Sequence, residues 1–347
     1  MGEITRREAL RLLSYYTLGA IFLSCPKQLL SLNNVLTIPF RGIYVPGWKG
    51  VNKKRIDIVI KFLIQNQLNT LMIDVKNAHG ELFYRPKSEI AKYIDAQVKT
   101  MEGQQRCLNM DYLLQEAQKH KIRLIARHVM FVDRILFENV PEFRLINRQN
   151  QHWVDMANQA VVDYNLNLIK QEAMLGFDEI VLDYIRFPDI PGFGTESDRC
   201  DTIDAITKSV KEVLKEANVE LGIQVFGYSA WSHRFSNVGQ RIETLQNHAD
   251  IIYPMLYPSH FFKGSLGLSV PSQHPYEIIR QGCQAARSKI KTECRIIPMI
   301  QGFSYSSENI GQQILAVQKF KIPGFVSWNP SGNHSKLGKA MGSLQLE

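Results

Sequence analysis

The sequence predicts an α/β fold, a single (β/α)8 TIM-type barrel with long loops at its C-terminal mouth. Three observations predict it. Eight short, nearly continuous apolar runs recur along the chain, most of them rich in Val and Ile, which is the signature of parallel strands buried on both faces. Amphipathic stretches with a 3.6-residue period lie between them. No Gly-x-Gly-x-x-Gly follows the first run, and no Gly-rich loop ends in Gly-Lys-Ser/Thr, which disfavours the rival, an open nucleotide-binding sheet.

The eight runs span residues 42–45, 70–75, 122–126, 179–183, 221–226, 251–256, 296–300 and 324–328. Among the intervening stretches, 54–65 carries Ile56, Val59, Ile60, Leu63 and Ile64 on one stripe. Residues 161–175 carry Leu166, Ile169, Ala173 and Met174, and 202–217 carry Ile203, Ile206, Val210, Val213 and Leu214. Stretches 276–290 and 308–319 behave similarly. Gly176 stands where a helix C-terminal glycine is expected. One domain over 38–347 accommodates all of these units, since a closed barrel needs about 250 residues. The connections after the second, third, fourth and sixth runs are long. In a barrel such loops line the C-terminal mouth, where catalytic groups gather.

The first 25 residues read differently from the rest. Arg6 and Arg7 precede a mostly apolar stretch from 12 to 23, the order of an export signal, and Thr5-Arg6-Arg7 resembles a twin-arginine start. The stretch is too short for a comfortable membrane span. Leu23-Ser24-Cys25 also resembles a lipoprotein cleavage site, with Cys25 as the lipidated residue. The expectation is an exported protein of the periplasm or cell envelope, anchored through a Cys25 lipid, held by an N-terminal helix, or free. A cytosolic amphipathic segment is the competing reading.

The net charge of +8 is spread along the chain without a Lys/Arg block. That reads as solubility and weak attraction to anionic envelope polymers, and no nucleic-acid partner is expected. The five cysteines contain no Cys-x-x-Cys, so a structural zinc or redox motif is not expected. Cys107, Cys200, Cys283 and Cys294 are either buried thiols or one or two bridges. None of the nine histidines forms His-x-His or His-Glu-x-x-His, so neither a catalytic metal nor a cofactor is expected.

Polar residues at the C-terminal ends of barrel strands face the mouth. Asp183 follows Ile180-Val181-Leu182, and an ionised carboxylate leaves water there only with compensation. Arg186 is the expected partner. A purely structural Asp–Arg pair competes with a catalytic carboxylate. Asp74 has the same setting after Leu71-Met72-Ile73. Two carboxylates across a mouth are the minimum for glycoside hydrolysis, so Asp183 and Asp74 are the expected catalytic pair. Lys76, two residues beyond Asp74, shares its facing if the strand persists. Arg127, His128, Gln224, Tyr228, Tyr257, His260, Gln301 and Trp328 also lie at strand ends. Aromatics such as Tyr184, Tyr228, Trp231, Tyr257 and Trp328, mixed with polar groups, suit a sugar cleft, although several could simply plug the barrel. No Gly-x-Ser-x-Gly occurs, against a serine nucleophile.

Several segments, in order, carry a resemblance. They are Arg41-Gly-Ile-Tyr-Val45, Asn69-Thr-Leu-Met-Ile-Asp-Val-Lys76, Ile125-Ala-Arg-His-Val-Met-Phe-Val-Asp133, Gly176-Phe-Asp-Glu-Ile-Val-Leu-Asp-Tyr-Ile-Arg-Phe-Pro188, Val225-Phe-Gly227, Tyr253-Pro-Met-Leu-Tyr-Pro-Ser-His260 and Gln301-Gly-Phe303. Together the chain resembles the bacterial putative glycosyl hydrolase domain family, long carried as a domain of unknown function. The resemblance implies a barrel, a glycan substrate and an exported location. It places Asp74, Asp183, Arg186, Tyr257, His260 and Gln301 in the cleft. The chain departs from the family pattern at Gln224, where an Asp usually precedes Val-Phe-Gly. Met156-Ala157 and Pro298-Met-Ile300 depart as well. Gln can hydrogen-bond but cannot serve as acid or nucleophile.

The expected function is therefore hydrolysis of a poly- or oligosaccharide by carboxylate chemistry. The catalytic residues are Asp183 and Asp74. Arg186, Tyr184, Lys76, Arg127, His128, Tyr228, Tyr257, His260, Gln301 and Trp328 are expected to hold the sugar. The competing expectation is a non-catalytic glycan-binding barrel that has lost a carboxylate at Gln224.

Overall fold

Strands apolar on both faces need side chains inside and helices outside, and this chain folds to supply both. The structure, a computed structural model, describes residues 40–98, 106–145, 151–190, 192–232 and 237–344. The stretch expected to be an export segment (with Cys25), the first two residues of the expected domain and His233 lie outside the described residues.

Eight parallel strands form the barrel: β1 (Phe40–Val45), β2 (Thr70–Lys76), β3 (Arg123–Val129), β4 (Glu179–Asp183), β5 (Glu220–Val225), β6 (Ile251–Leu256), a split β7 (Arg295–Ile296 and Met299–Gln301) and β8 (Gly324–Trp328). Closure is explicit in the register. β1 pairs β2 at Gly42↔Thr70 and β8 at Phe40↔Gly324, while β5 meets β6 at Gly222↔Ile251. All eight expected strands form, giving the expected TIM-type barrel. The break in β7 falls at Pro298, which has no N–H to donate. The pairing bridges it, because Ile297 N donates to Ile252 O at 3.1 Å and Val326 N donates to Pro298 O at 3.0 Å.

Around the barrel run α1 (Lys53–Gln65), α2 (Met110–Lys119), α3 (Gln159–Glu172), α4 (Glu196–Ala217), α5 (Ile242–Leu245), α6 (Pro275–Ser288), α7 (Ser307–Lys319) and α8 (Ser335–Ser343). Side-chain caps start most of the long ones. Asn52 accepts from Arg55 N at 3.0 Å on α1, and Thr195 and Asp198 form a reciprocal capping box on α4. The expected stripes pack inward apart from Ile64 and Met174, which are exposed. α3 stops at Glu172, capped by Ala173, before the expected glycine. Gly176 instead turns the chain into β4 with φ +98°, a conformation that favours glycine. Two short extra helices, Glu89–Tyr93 and Arg134–Asn139, sit in the mouth loops after β2 and β3.

A separate apolar cluster fills the barrel, including Tyr44, Met72, Ile125, Val181, Met299 and Val326. Below it, Glu179 is fully buried, accepting from Tyr253 OH at 2.8 Å and pairing with Arg123 at 3.0 Å. Gly222 is required beside it, since a Cβ there would come within 2.3 Å of Glu179 Oε1. Cys107, Cys200, Cys283 and Cys294 are free thiols. Among the described residues no helix is long and apolar enough to cross a membrane.

Candidate functional site

Above the apolar layer, the ends of β2 to β5 turn four polar side chains inward. Asp74 on β2 lies level with Arg127 on β3, and Arg127 bridges two carboxylates. Its Nη1 donates to Asp74 Oδ1 at 2.7 Å, while Nε and Nη2 donate to Asp183 Oδ2 at 3.1 and 2.5 Å. Tyr44 OH donates to Asp74 Oδ2 at 2.7 Å, and Tyr184 N donates to Asp183 Oδ1 at 2.7 Å. The Gln224 amide, turned so that both its ends are satisfied, donates to Asp183 at 2.8 and 3.3 Å. Asp74, Arg127, Asp183 and Gln224 are all buried.

Burial raises the Asp74 pKa above the usual carboxylate range, against the pull of Arg127 and the Tyr44 hydroxyl. Burial alone would lower the Arg127 pKa, but Asp183 and Asp74 outweigh it and hold the guanidinium charged. The Arg127 guanidinium also packs 4.8 Å from the Trp328 ring centre and 5.4 Å from that of Tyr44. Those two rings stack on each other with centroids 3.8 Å apart. The cation is thus fixed by charge on one side and by ring faces on the other. Tyr184 sits at φ +51°, a left-handed conformation costing about 1–2 kcal/mol for a residue with a Cβ. Non-glycine residues held that way cluster at functional sites.

Asp183 opens into a cavity of about 260 Å³ at the C-terminal mouth, near the lower end of ligand pockets at roughly 300–1,000 Å³. The expected residues Asp183, Tyr184, Arg186, Arg127, Tyr228, Tyr257, His260 and Trp328 all line it, joined by Gln224 and Phe226. Asp183 is the one carboxylate on its wall among the described residues. Tyr257 is buried, and burial raises its pKa well above the ordinary value. His260 is exposed at the rim, edge-on to Tyr257 with centroids 5.5 Å apart, and burial of its inner side lowers its pKa. Tyr228 OH accepts from Phe262 N at 2.7 Å and so pins the loop after β6.

Five expectations change with the geometry. Arg186 does not pair with Asp183; Arg127 does, and Arg186 donates to Phe187 O at 2.9 Å. Lys76 does not share Asp74's facing, because the β2–β3 register shifts between Asp74 and Lys76. That irregularity sends Lys76 behind the barrel wall, where it pairs with Asp133 at 2.9 Å and donates to Val129 O at 2.8 Å. His128 follows Arg127 directly, so it points the opposite way, and it meets Glu172 on α3 at 2.8 Å and Asn165 at 3.0 Å. Gln301 is fully buried and bonds backbone, accepting from Ser259 N and donating to Phe303 O, both at 3.1 Å. Lys76, His128 and Gln301 therefore brace the mouth loops and have no surface on the cavity. Asp74 sits behind Arg127 and does not line the cavity either. Tyr44 joins the site without having been among the expected residues; its place two residues beyond Gly42, on the inward face of β1, is the signal for it.

Among the described residues, no three His, Cys, Asp or Glu side chains converge as metal ligands do. The sequence matches no curated protein. Solved structures share the fold, and three of them serve as examples. The PgaB (BpsB) glycoside hydrolase domain from Bordetella bronchiseptica superposes with a TM-score of 0.67 at 10% identity, covering 87% of this chain and 99% of that one. The endo-1,4-beta-mannanase from Rhizomucor miehei gives 0.60 at 12% identity, covering 88% and 96%. Alpha-L-fucosidase isoenzyme 2 from Paenibacillus thiaminolyticus gives 0.59 at 11% identity, covering 88% and 49%. At these identities the likeness is one of fold. The family model named putative glycosyl hydrolase domain matches residues 42–334, a span that contains every strand end described above, and the chain therefore belongs to that family.

Proposed function

We propose that the protein hydrolyses glycosidic bonds in a poly- or oligosaccharide, with Asp183 as the carboxylate that meets the sugar. The observation that carries this reading is Asp183 itself, the cavity's wall carboxylate, oriented by Arg127 and the Tyr184 N–H. Both oxygens of Asp183 accept hydrogen bonds, from Arg127 and from the Tyr184 N–H, an acceptor geometry that fits a nucleophile or water-activating base better than a proton donor. Asp74, raised by burial and hidden behind Arg127, sets the position and charge of that arginine. Ring faces of Tyr184, Tyr257 and Trp328 suit the apolar faces of a sugar, and polar tips suit its hydroxyls. The export-like segment with Arg6 and Arg7 supports action on an envelope or extracellular glycan. Hydrolysis of a panel of polysaccharides, followed by released reducing ends, tests the reading; cleavage of none of them contradicts it.

Gln224 favours one second reading, a glycan-binding barrel without turnover. It occupies the place on β5 that faces Asp183, and it cannot exchange a proton. Gln224→Asp separates the two. In the hydrolase reading this variant, which sets a second carboxylate against Asp183, raises the apparent pKa of the pair and shifts the acid limb of the rate profile. In the binding reading the wild type is inert, and the variant gains hydrolysis or stays inert with binding intact.

A further inference from the structure

Two arginines line the cavity, and their charges are answered differently. Arg127 is bonded by both Asp74 and Asp183. Arg186 has no ion pair among the described residues and makes one hydrogen bond, from Nη1 to Phe187 O. Three rings hold its guanidinium: Trp153 at 5.0 Å, Tyr184 at 5.4 Å and Phe226 at 5.6 Å from their centres. Asp183 and Asp189 act on it only at longer range, and burial outweighs them, lowering its pKa. With two Asp and two Arg, the site is formally neutral, and the one cation without a bonded anion faces the cavity.

We propose that Arg186 anchors an oxyanion substituent of the glycan, so the substrate class is acidic sugars bearing a carboxylate. This deepens the hydrolase reading above and rests on it. A guanidinium clamped between rings keeps its planar fork in place, loses little rotamer freedom on binding, and presents paired N–H donors that match a carboxylate. A neutral sugar leaves those donors poorly matched in a partly dry site, which costs affinity. The formal net charge of +8 acts in the same direction by drawing acidic polymers toward the surface.

The test measures binding to the full chain by titration calorimetry with three oligogalacturonate-sized probes: the free acid, its methyl ester, and a sulfated oligosaccharide of the same length. The ratio of affinities for acid and ester is the readout, so a general weakening cancels. The wild type should prefer the acid by about tenfold or more, the scale of one charge-assisted contact. In Arg186→Met the ratio should fall to near one, and Arg186→Lys should retain part of it, which guards against a variant that merely unfolds. Added salt should shrink the ratio. Equal affinity for acid and ester, or a ratio unchanged in Arg186→Met, overturns the proposal while leaving the glycan reading in place. Preference for the sulfated probe over the free acid overturns the carboxylate assignment. Binding of none of these probes, with a neutral glycan bound or cleaved, overturns the proposal alone; binding of no glycan of any kind overturns both.

Discussion

At the residue scale the site is one cation shared by two carboxylates. Arg127 ties β2 to β4 by pairing with both Asp74 and Asp183, so its removal leaves two buried carboxylates without their cation. Arg127→Met should lower stability by about 3–5 kcal/mol. The loss should be largest at high pH and shrink on acidification, because the freed carboxylates then take up protons that neutralise them. Urea melts at pH 5 and pH 8 check this, and a variant as stable as the wild type at pH 8 contradicts it. The sequence showed Asp74, Arg127 and Asp183 as strand-end polar residues, but not their connection. Arg186 stood nearer to Asp183 in sequence, whereas register, set by pairing across strands, delivered Arg127. His128 illustrates a constraint that was legible: adjacent residues on a strand face opposite ways, so Arg127 and His128 could not both enter the barrel.

At the element scale, the eight strands were readable because parallel strands buried on both faces spell out as unbroken apolar runs. Helices α2, α5 and α8 went unread, since α2 buries only Leu113 and Ala117 and α5 is four residues long. The irregularity after Asp74 was also unreadable, and it decides where Lys76 goes. Behind the wall, Lys76 and Asp133 are both fully buried, and Asp133 Oδ1 accepts from Leu136 N at 2.8 Å, capping the short helix after β3. Lys76→Met strands Asp133 and should cost about 3–5 kcal/mol. Pairing it with Asp133→Leu should recover all but about 1 kcal/mol, the worth of the lost cap. A double variant no more stable than Lys76→Met contradicts this view of the mouth loops.

At the scale of the whole molecule, the barrel has a charged floor and a working mouth. On the floor, burial pushes the Glu179 pKa up to about 7, against the pull of Arg123 and the Tyr253 hydroxyl. The folded pKa lies above the unfolded one, so Glu179 is most favourable to folding when both states are protonated. Its contribution falls as pH rises from about 4.5 to about 7 and then levels, by a total of about 3 kcal/mol. Glu179→Gln should flatten that stretch of the stability curve, and an unaltered slope contradicts the assignment. At the mouth, family membership points to sugar chemistry, and Asp183 is the residue proposed to carry it. The most direct test is the rate of glycan cleavage by Asp183→Asn beside the wild type, with binding of the same glycan measured separately. The account predicts that cleavage falls at least about a thousandfold while binding persists; cleavage within tenfold of the wild-type rate would contradict it.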